Sequence, residues 1–454
     1  MGELSDNDAL MIRGDFSSPE SGQSKGIYYG WVVVLACLFL MSIGYGMRFS
    51  FSVFFVAILK EFSWSRGAIS GAFSLNLILS GLISPLVGSW ADRLGSRKVM
   101  VLGSMVFSLG FFSIGFISAV WHLYLFLGVL LAFGVALVGV VPISSLMVRW
   151  FQKNRGVAVG LSFAGVGLGI LIFAPLAQVL ISWSGWRVAF HIFGGLAVGM
   201  TLPMALFLVR EKPDPARPLQ GFFRFHKKEE FGGERKGDGT AGPAAPPGGP
   251  LSDMLRARPL HLLAGASFLT GFGIFTILVH HVAHLVDIGF SGMTAASIYG
   301  FIGILNCFGK VTMGHLSDRL GREKPFLLSI SLLILGVSVL ISLKLFSSPA
   351  PVFLFAVCFA FGYGGVVTLF PSLTGDLFSG PRFASIFGVV EMGLAFGGAL
   401  GSWMGGFLFD LTSSYTAPFL MAILGFFLSG CFVWSLRTYP RPIPLTARSE
   451  KVFR

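Results

Sequence analysis

Twelve apolar runs, each long enough to cross a bilayer, constrain this chain more than any other feature of its sequence. A helix needs roughly 20 such residues to span the hydrocarbon core. The runs lie near 29 to 57, 67 to 91, 99 to 119, 122 to 148, 156 to 181 and 188 to 209, then near 260 to 285, 293 to 316, 326 to 346, 350 to 377, 385 to 409 and 415 to 436. The expected fold is therefore an all-α membrane protein with twelve transmembrane helices. With 54% hydrophobic and 12% charged residues and a mean hydropathy of +0.79, the chain carries more apolar surface than a soluble core could absorb.

Between the sixth and seventh runs lies a stretch rich in Pro, Gly and charge, "EKPDPARPLQGFFRFHKKEEFGGERKGDGTAGPAAPPGGPLSDMLRARP". It cannot bury enough apolar surface to fold alone. It reads as a flexible tether, 211–258, rather than a regulatory element. The expected organisation is thus a tail (1–28), a six-helix bundle (29–210), the linker, a second six-helix bundle (259–437) and a second tail (438–454). No cleaved signal peptide is implied by the polar residues before Gly26.

The net charge of +12 would point to nucleic acid in a soluble chain, but here it reports topology and no nucleic-acid partner is expected. The loops after runs two, four, six, eight and ten carry 3, 3, 10, 3 and 1 Lys or Arg, and the tail from Arg437 carries 5. The other side holds only Lys60, Arg66, Arg187 and Lys344. Both termini are expected to be cytoplasmic, in a bacterial inner membrane or equivalent plasma membrane. Two basic residues, Arg48 and Lys310, fit neither side and fall within the membrane. All four cysteines lie in apolar runs, with no CxxC and no Cys/His pairing at metal-ligand spacing, so no disulfide, metal or cofactor is expected.

The two halves repeat each other. "GSWADRLGSRK" (Gly88 to Lys98) closes the second run and "GHLSDRLGREK" (Gly314 to Lys324) closes the eighth, identical at six of eleven positions and 226 residues apart. A repeat at half the chain length implies two duplicated bundles facing each other, the architecture of a rocker transporter. The repeated segment resembles the signature loop of the major facilitator superfamily. The resemblance implies a cytoplasmic latch built from Gly88, Asp92 and Arg93 and from Gly314, Asp318 and Arg319. Asp92 and Asp318 would accept bonds from neighbouring helix ends or Arg side chains in the outward-open state.

Four further stretches resemble the monocarboxylate porter branch, and share much with oxalate/formate antiporters: "GWVVVLACLFLMSIGYGMRFSFSVFFVAILKEFSWSR", "RWFQKNRGVAVGLSFAGVGLG", "VHHVAHLVDIGFS" and "NCFGKVTMGHLSDRLGR". The branch typically has an arginine where this chain has Lys310, and its animal members have an aspartate where this chain has Asn306. Lysine keeps the charge but loses the planar two-pronged donor. The oxalate/formate branch places a second basic residue near position 394, here Leu394, which argues against a dicarboxylate.

Three formal charges sit well inside the runs: Arg48, Lys310 and Glu391. Their sum of plus one suits a cavity that receives one carboxylate and disfavours an organic cation. Lys310 and Arg48 are the candidate substrate anchors, with His280, Asn306 and Tyr363 as further substrate-binding candidates. Lys310 could instead pair with Glu391 or reach the interface. Glu391 is the candidate proton carrier, with Lys310 as a second coupling group or as a structural partner. His280, His281 and His284 do not make a metal site, because 280 and 281 diverge on a helix and no third acid or thiol joins them. Asn76, Ser144 and Thr368 have weaker claims. Glycine-rich stretches such as "GLSFAGVGLG" and "FGGALGSWMGG" are read as close helix crossings.

The expected function is secondary active transport of a small monocarboxylate such as lactate or pyruvate, by alternating access and with a proton, in a monomer that is not an enzyme. Exchange of one organic anion for another is the nearest rival. A proton-coupled drug exporter fits poorly with two buried bases against one acid. A sensor that binds without flux lacks any folded signalling domain. No Walker, G-x-S-x-G or H-E-x-x-H sequence appears.

Overall fold

A computed structural model describes residues 29–151, 155–211, 256–345, 350–378 and 383–439. The expected N-terminal tail, almost all of the linker and all but two residues of the C-terminal tail lie outside these residues. In hydrocarbon every backbone N–H and C=O must be satisfied within the protein, and the apolar runs meet that demand as helices.

Span one is the helix Tyr29–Phe49, continued after a one-residue break at Ser50 by Phe51–Phe62. Spans two and three are Arg66–Leu94 and Ser96–Ile114. Span four is segmented: Val120–Leu123, a π-helical stretch Tyr124–Leu130, then Leu131–Val138 and Val140–Trp150 on either side of Gly139. Spans five and six share the helical stretch Arg155–Pro203, which Gly185, at φ 81° and ψ 161°, divides into two crossings. The second half contributes Arg258–Asp287, Gly292–Leu320, Glu323–Ser342, Ala350–Leu377, Phe383–Thr412 and Thr416–Ser435 as spans seven to twelve. Eleven helical stretches among the described residues are long and apolar enough to cross a membrane, and the break at Gly185 makes twelve crossings of them. The protein is an all-α, multi-pass membrane protein. An even number of crossings puts the first and last spans' outer ends, Tyr29 and Ser435, on one side, called here the terminus face; the other is the far face.

The repeat seen in the sequence extends to the backbone. Among the described residues six have positive φ, and they form three pairs: Ser63 with Gly289, Gly95 with Gly321, and Gly185 with Ser413. The first two pairs are each 226 residues apart. Gly95 and Gly321, at φ 90° and 81°, turn the chain within the repeated "DRLG". A side chain there would be strained, which explains why both halves keep glycine. Ser65 and Ser291, also 226 apart, each cap the second helix of their half by accepting from the N–H three residues on.

Within each half, the first and fifth helices cross at glycines. A Cβ at Gly169 would lie 2.0 Å from Ser42 O, and one at Gly397 would lie 1.9 Å from Phe268 O. Neither position admits a side chain without separating the helices, so both glycine-rich stretches serve packing. The halves meet along two seams. Span five packs on span eight, where a Cβ at Gly167 would sit 2.3 Å from Gly303 O. Span two packs on span eleven, where Ser402 donates to Ser70 O at 3.4 Å and Gly81 faces Ala395.

Candidate functional site

Arg48 is buried, at 5% exposure, beside the break in span one. Its Nη2 donates to Ser80 Oγ of span two at 3.3 Å, and Ser80 donates in turn to Asn76 O at 2.7 Å. The guanidinium carbon lies 5.8–5.9 Å from the ring centres of Tyr45, Phe49 and Phe73. Nε has no hydrogen-bond partner. A buried cation with a free donor and no carboxylate partner is costly, and such residues face a ligand or cavity by preference.

Glu391 is on span eleven, eight residues in from its terminus-face end, and is not covered by other protein groups at that depth. Among the described residues it has no ion pair or hydrogen bond, and its charge acts on Tyr45 of span one and Tyr363 of span ten. Those two tyrosines are also the ones in electrostatic reach of Arg48. Arg48 and Glu391 thus each act on this tyrosine pair, but not on each other. The Tyr45 hydroxyl packs against the break in span four, 3.0 Å from where a Cβ at Gly139 would sit.

Lys310 lies on span eight, half-buried, and forms no ion pair with Glu391; its charge is felt by the Cys307 thiol one turn earlier. Cys307 donates to Ala164 O of span five at 3.5 Å, which puts Lys310 beside the other seam. Asn306 is buried and donates to Ala360 O of span ten at 3.4 Å, a helix-packing contact. The structure thus places Arg48 and Glu391 so that both act on Tyr45 and Tyr363, sets Lys310 at the span-five seam, and ties Asn306 to span ten.

His280 belongs to a different cluster, at the far face. Arg66, which opens span two, reaches across to span seven and grips Asp287 with both arms, at 2.8 and 3.1 Å. The same guanidinium donates to Tyr415 Oη at 2.6 Å and stacks on Phe409 at 3.7 Å. Tyr415 Oη lies 3.3 Å from His280 Nδ1, and His280 Nε2 lies 2.8 Å from Ser402 O. A neutral imidazole with its proton on Nε2 satisfies that whole chain of bonds. Asp410, from the second half, accepts from the backbone N–H groups of Arg66 and Gly67, both at 2.8 Å. With Ser65 Oγ on Ala68 N–H, the free donors of the first three helical residues of span two are filled, and Ile69 N–H makes the first ordinary helical bond, to Ser65 O. A carboxylate on a helix N-terminus is favourable on both hydrogen-bond and dipole grounds. The helix of one half is capped by a residue of the other.

At the terminus face two charge clusters form, one within each half. Asp318 accepts from Arg322 at 2.6 Å, and Arg322 also reaches Ser317 and, at 3.3 Å, Asp376 of span ten. Burial disfavours the Arg322 charge, but the two carboxylates outweigh it and hold its pKa above the ordinary arginine value. In the first half, Glu211 accepts from the backbone N–H of Arg97 and pairs with Arg149 at 3.5 Å, and Arg97 also donates to Leu206 O. Gly88 and Gly314 lie at equivalent crossings, where an added Cβ would meet Val141 Cγ1 and Thr368 Cγ2 respectively, each at 3.5 Å. Arg93 and Arg319 are exposed. Asp92 is on the span-two helix, with its side chain outside the described set.

The family model for the Major Facilitator Superfamily matches residues 34–379 and again 313–453. Monocarboxylate transporter 13 of Bos taurus is 30% identical over 426 residues, covering 93% of this chain and 92% of its own. The chain belongs to the monocarboxylate transporter branch of the major facilitator superfamily. Monocarboxylate transporter 11 of Homo sapiens is 29% identical, over 92% of this chain and 84% of its own. Among solved structures, a bacterial homolog of the human lysosomal transporter Spinster superposes with a TM-score of 0.70 at 18% identity, over 92% of this chain and all of that one. The nucleoside transporter NupG superposes at 0.66 with 12% identity, over 89% of this chain and 99% of that one. These likenesses place the fold. This major facilitator protein is a transporter and not an enzyme.

Sequence reasoning missed Tyr45, and it missed the far-face cluster of this transporter. Arg66 was legible only as a topology charge, and Asp410 and Tyr415 were not singled out. The available signal was an opposite-charge set at the outer ends of spans two, seven and eleven, which no spacing rule brings together.

Proposed function

We propose that the protein carries a small monocarboxylate of the lactate or pyruvate type, together with a proton, by alternating access. It does so as a monomer in an inner or plasma membrane, with the terminus face on the cytoplasmic side. The observation that carries this reading is the pair of intramembrane cations, Arg48 and Lys310, neither with a carboxylate partner among the described residues. Two such cations invite one organic anion into the space between the halves. Glu391, open and unpaired in the same region, takes the proton. The relatives' names supply the substrate class. Halves that are bonded together at the far face by Arg66 and Asp410 suit a carrier caught closed outside. Reversal would break the Arg66 cluster and bring the two signature loops together.

The test is uptake of radiolabelled L-lactate into proteoliposomes under an inside-alkaline gradient, comparing the native chain with Lys310→Ala and Arg48→Ala. Gradient-driven accumulation that both substitutions abolish, in protein that still folds, supports the reading. Uptake that requires preloaded anion instead of a gradient supports organic-anion exchange. Transport that survives both substitutions unchanged removes these residues from the site.

A further inference from the structure

Among the described residues Arg48 makes one hydrogen bond. Three rings, of Tyr45, Phe49 and Phe73, surround its guanidinium with centres 5.8–5.9 Å from the central carbon. Rings attract a cation but do not choose which of its N–H edges faces which way. That choice falls to Ser80, whose Oγ accepts from Nη2 at 3.3 Å. The serine can only accept there, because its own proton is committed to Asn76 O, one turn earlier, at 2.7 Å. Span two is fixed at this level from another side as well: Asn76 is fully buried, and its Nδ2 donates to Leu127 O at 2.7 Å, inside the π-helical stretch of span four. A carbonyl partner also settles which way the amide points, since only its nitrogen can donate. With Nη2 turned onto span two, Nε is left buried and without a partner.

We propose that Ser80 is the positioning residue for Arg48, turning the guanidinium so that Nε faces the carboxylate of the transported anion. The inference rests on the proposed monocarboxylate reading and adds to it the residue that orients the anchor. A guanidinium recognises a carboxylate through a planar fork, so its rotation within the plane decides whether the N–H groups and the oxygens line up. Ser80 takes an Nη2 donor and leaves the Nε edge for the anion. Arg48 and Ser80 both belong to the first half, on spans one and two. Rocking of one half against the other leaves their bond intact, unlike the Arg66 clamp, and the anchor keeps its orientation through the cycle. Gly81, next in the chain, meets Ala395 of span eleven, which puts Ser80 at the level where the halves join. Asn76 acts one step further back: its side chain holds span two to span four and does not touch the guanidinium.

Initial rates of radiolabelled L-lactate uptake into proteoliposomes holding the full chain, under an inside-alkaline gradient, separate orientation from packing. Ser80→Ala removes the acceptor, and Ser80→Cys replaces it with a thiol of similar shape and weak accepting power. Each should raise KM on the order of tenfold, with Vmax within about twofold of native and the melting temperature little changed. Ser80→Thr keeps a hydroxyl that can bond the carbonyl one turn back, and should restore the native KM. An unchanged KM in both Ser80→Ala and Ser80→Cys, while Arg48→Ala abolishes uptake, overturns the inference and leaves the monocarboxylate reading standing. So does a threonine variant that behaves like alanine, or a fall in Vmax and melting temperature at constant KM, which marks the serine as structural. If the native chain takes up no L-lactate, or Arg48→Ala transports normally, the inference falls together with the site it rests on.

Discussion

The two faces of the molecule hold the halves in opposite ways. At the far face, Arg66 of the first half binds Asp287 and Tyr415 of the second, and Asp410 caps a helix that is not its own. At the terminus face, Arg322, Asp318 and Asp376 bind within the second half, and Arg149, Arg97 and Glu211 within the first. Charge placed across the seam fixes which face is closed, whereas charge placed within a half shapes that half alone. The repeat makes this contrast sharper. Positions 66 and 292 are equivalent, but only the first is an arginine; Gly292 meets Gln178 by close packing. One seam closes by ion pairing and the other by small residues.

The largest expected effect comes from removing the cross-half clamp. Arg66→Ala deletes two bonds to Asp287 and one to Tyr415 from a side chain that is 16% exposed. Allowing for solvent screening, about 1–3 kcal/mol against the far-closed state is expected, a shift of roughly 5- to 150-fold toward the far-open one. Labelling of a Ser402→Cys probe by an impermeant maleimide from the far side should rise accordingly; unchanged labelling would mean the clamp does not set the equilibrium.

A smaller effect is expected from Arg322→Ala, which leaves the seam untouched and frees Asp318 and Asp376 within one half. The loss is on the order of 1 kcal/mol of stability, since the pairs are partly exposed. It should appear as a lower melting temperature, with far-side labelling of the same cysteine little changed. Gly314→Ala should do least, because the added methyl meets Thr368 at an ordinary contact distance of 3.5 Å. Within about 0.5 kcal/mol of the native stability is expected; a larger loss would show that the signature glycine is needed for a closer approach in another state of the cycle.

Much of the architecture was legible in advance because it follows from solvent. A chain that must satisfy its backbone in hydrocarbon can only be helical there, so the apolar runs located the crossings to within a few residues. Some ends moved: span one extends to Phe62, beyond the expected 57, and span three ends at Ile114, short of 119. The apolar runs end where hydropathy falls, but a helix ends where its backbone is capped or broken. Arg48, Lys310 and Glu391 could be picked out because ionisable residues stand out against an apolar background.

What the sequence by itself determined is the twelve-helix scaffold, its duplication and the identity of the intramembrane charges. Those properties are local: they depend on hydropathy, on spacing and on glycines such as Gly95 and Gly321 that must adopt positive φ. Which charges meet was decided only by tertiary structure. Glu391 acts on Tyr45 and Tyr363, Lys310 stands at the span-five seam, and His280 joins Arg66 and Tyr415 in the far-face clamp. Partners 135 to 349 residues apart are brought together by helix crossings, and the angle and depth of a crossing depend on side chains of both helices at once.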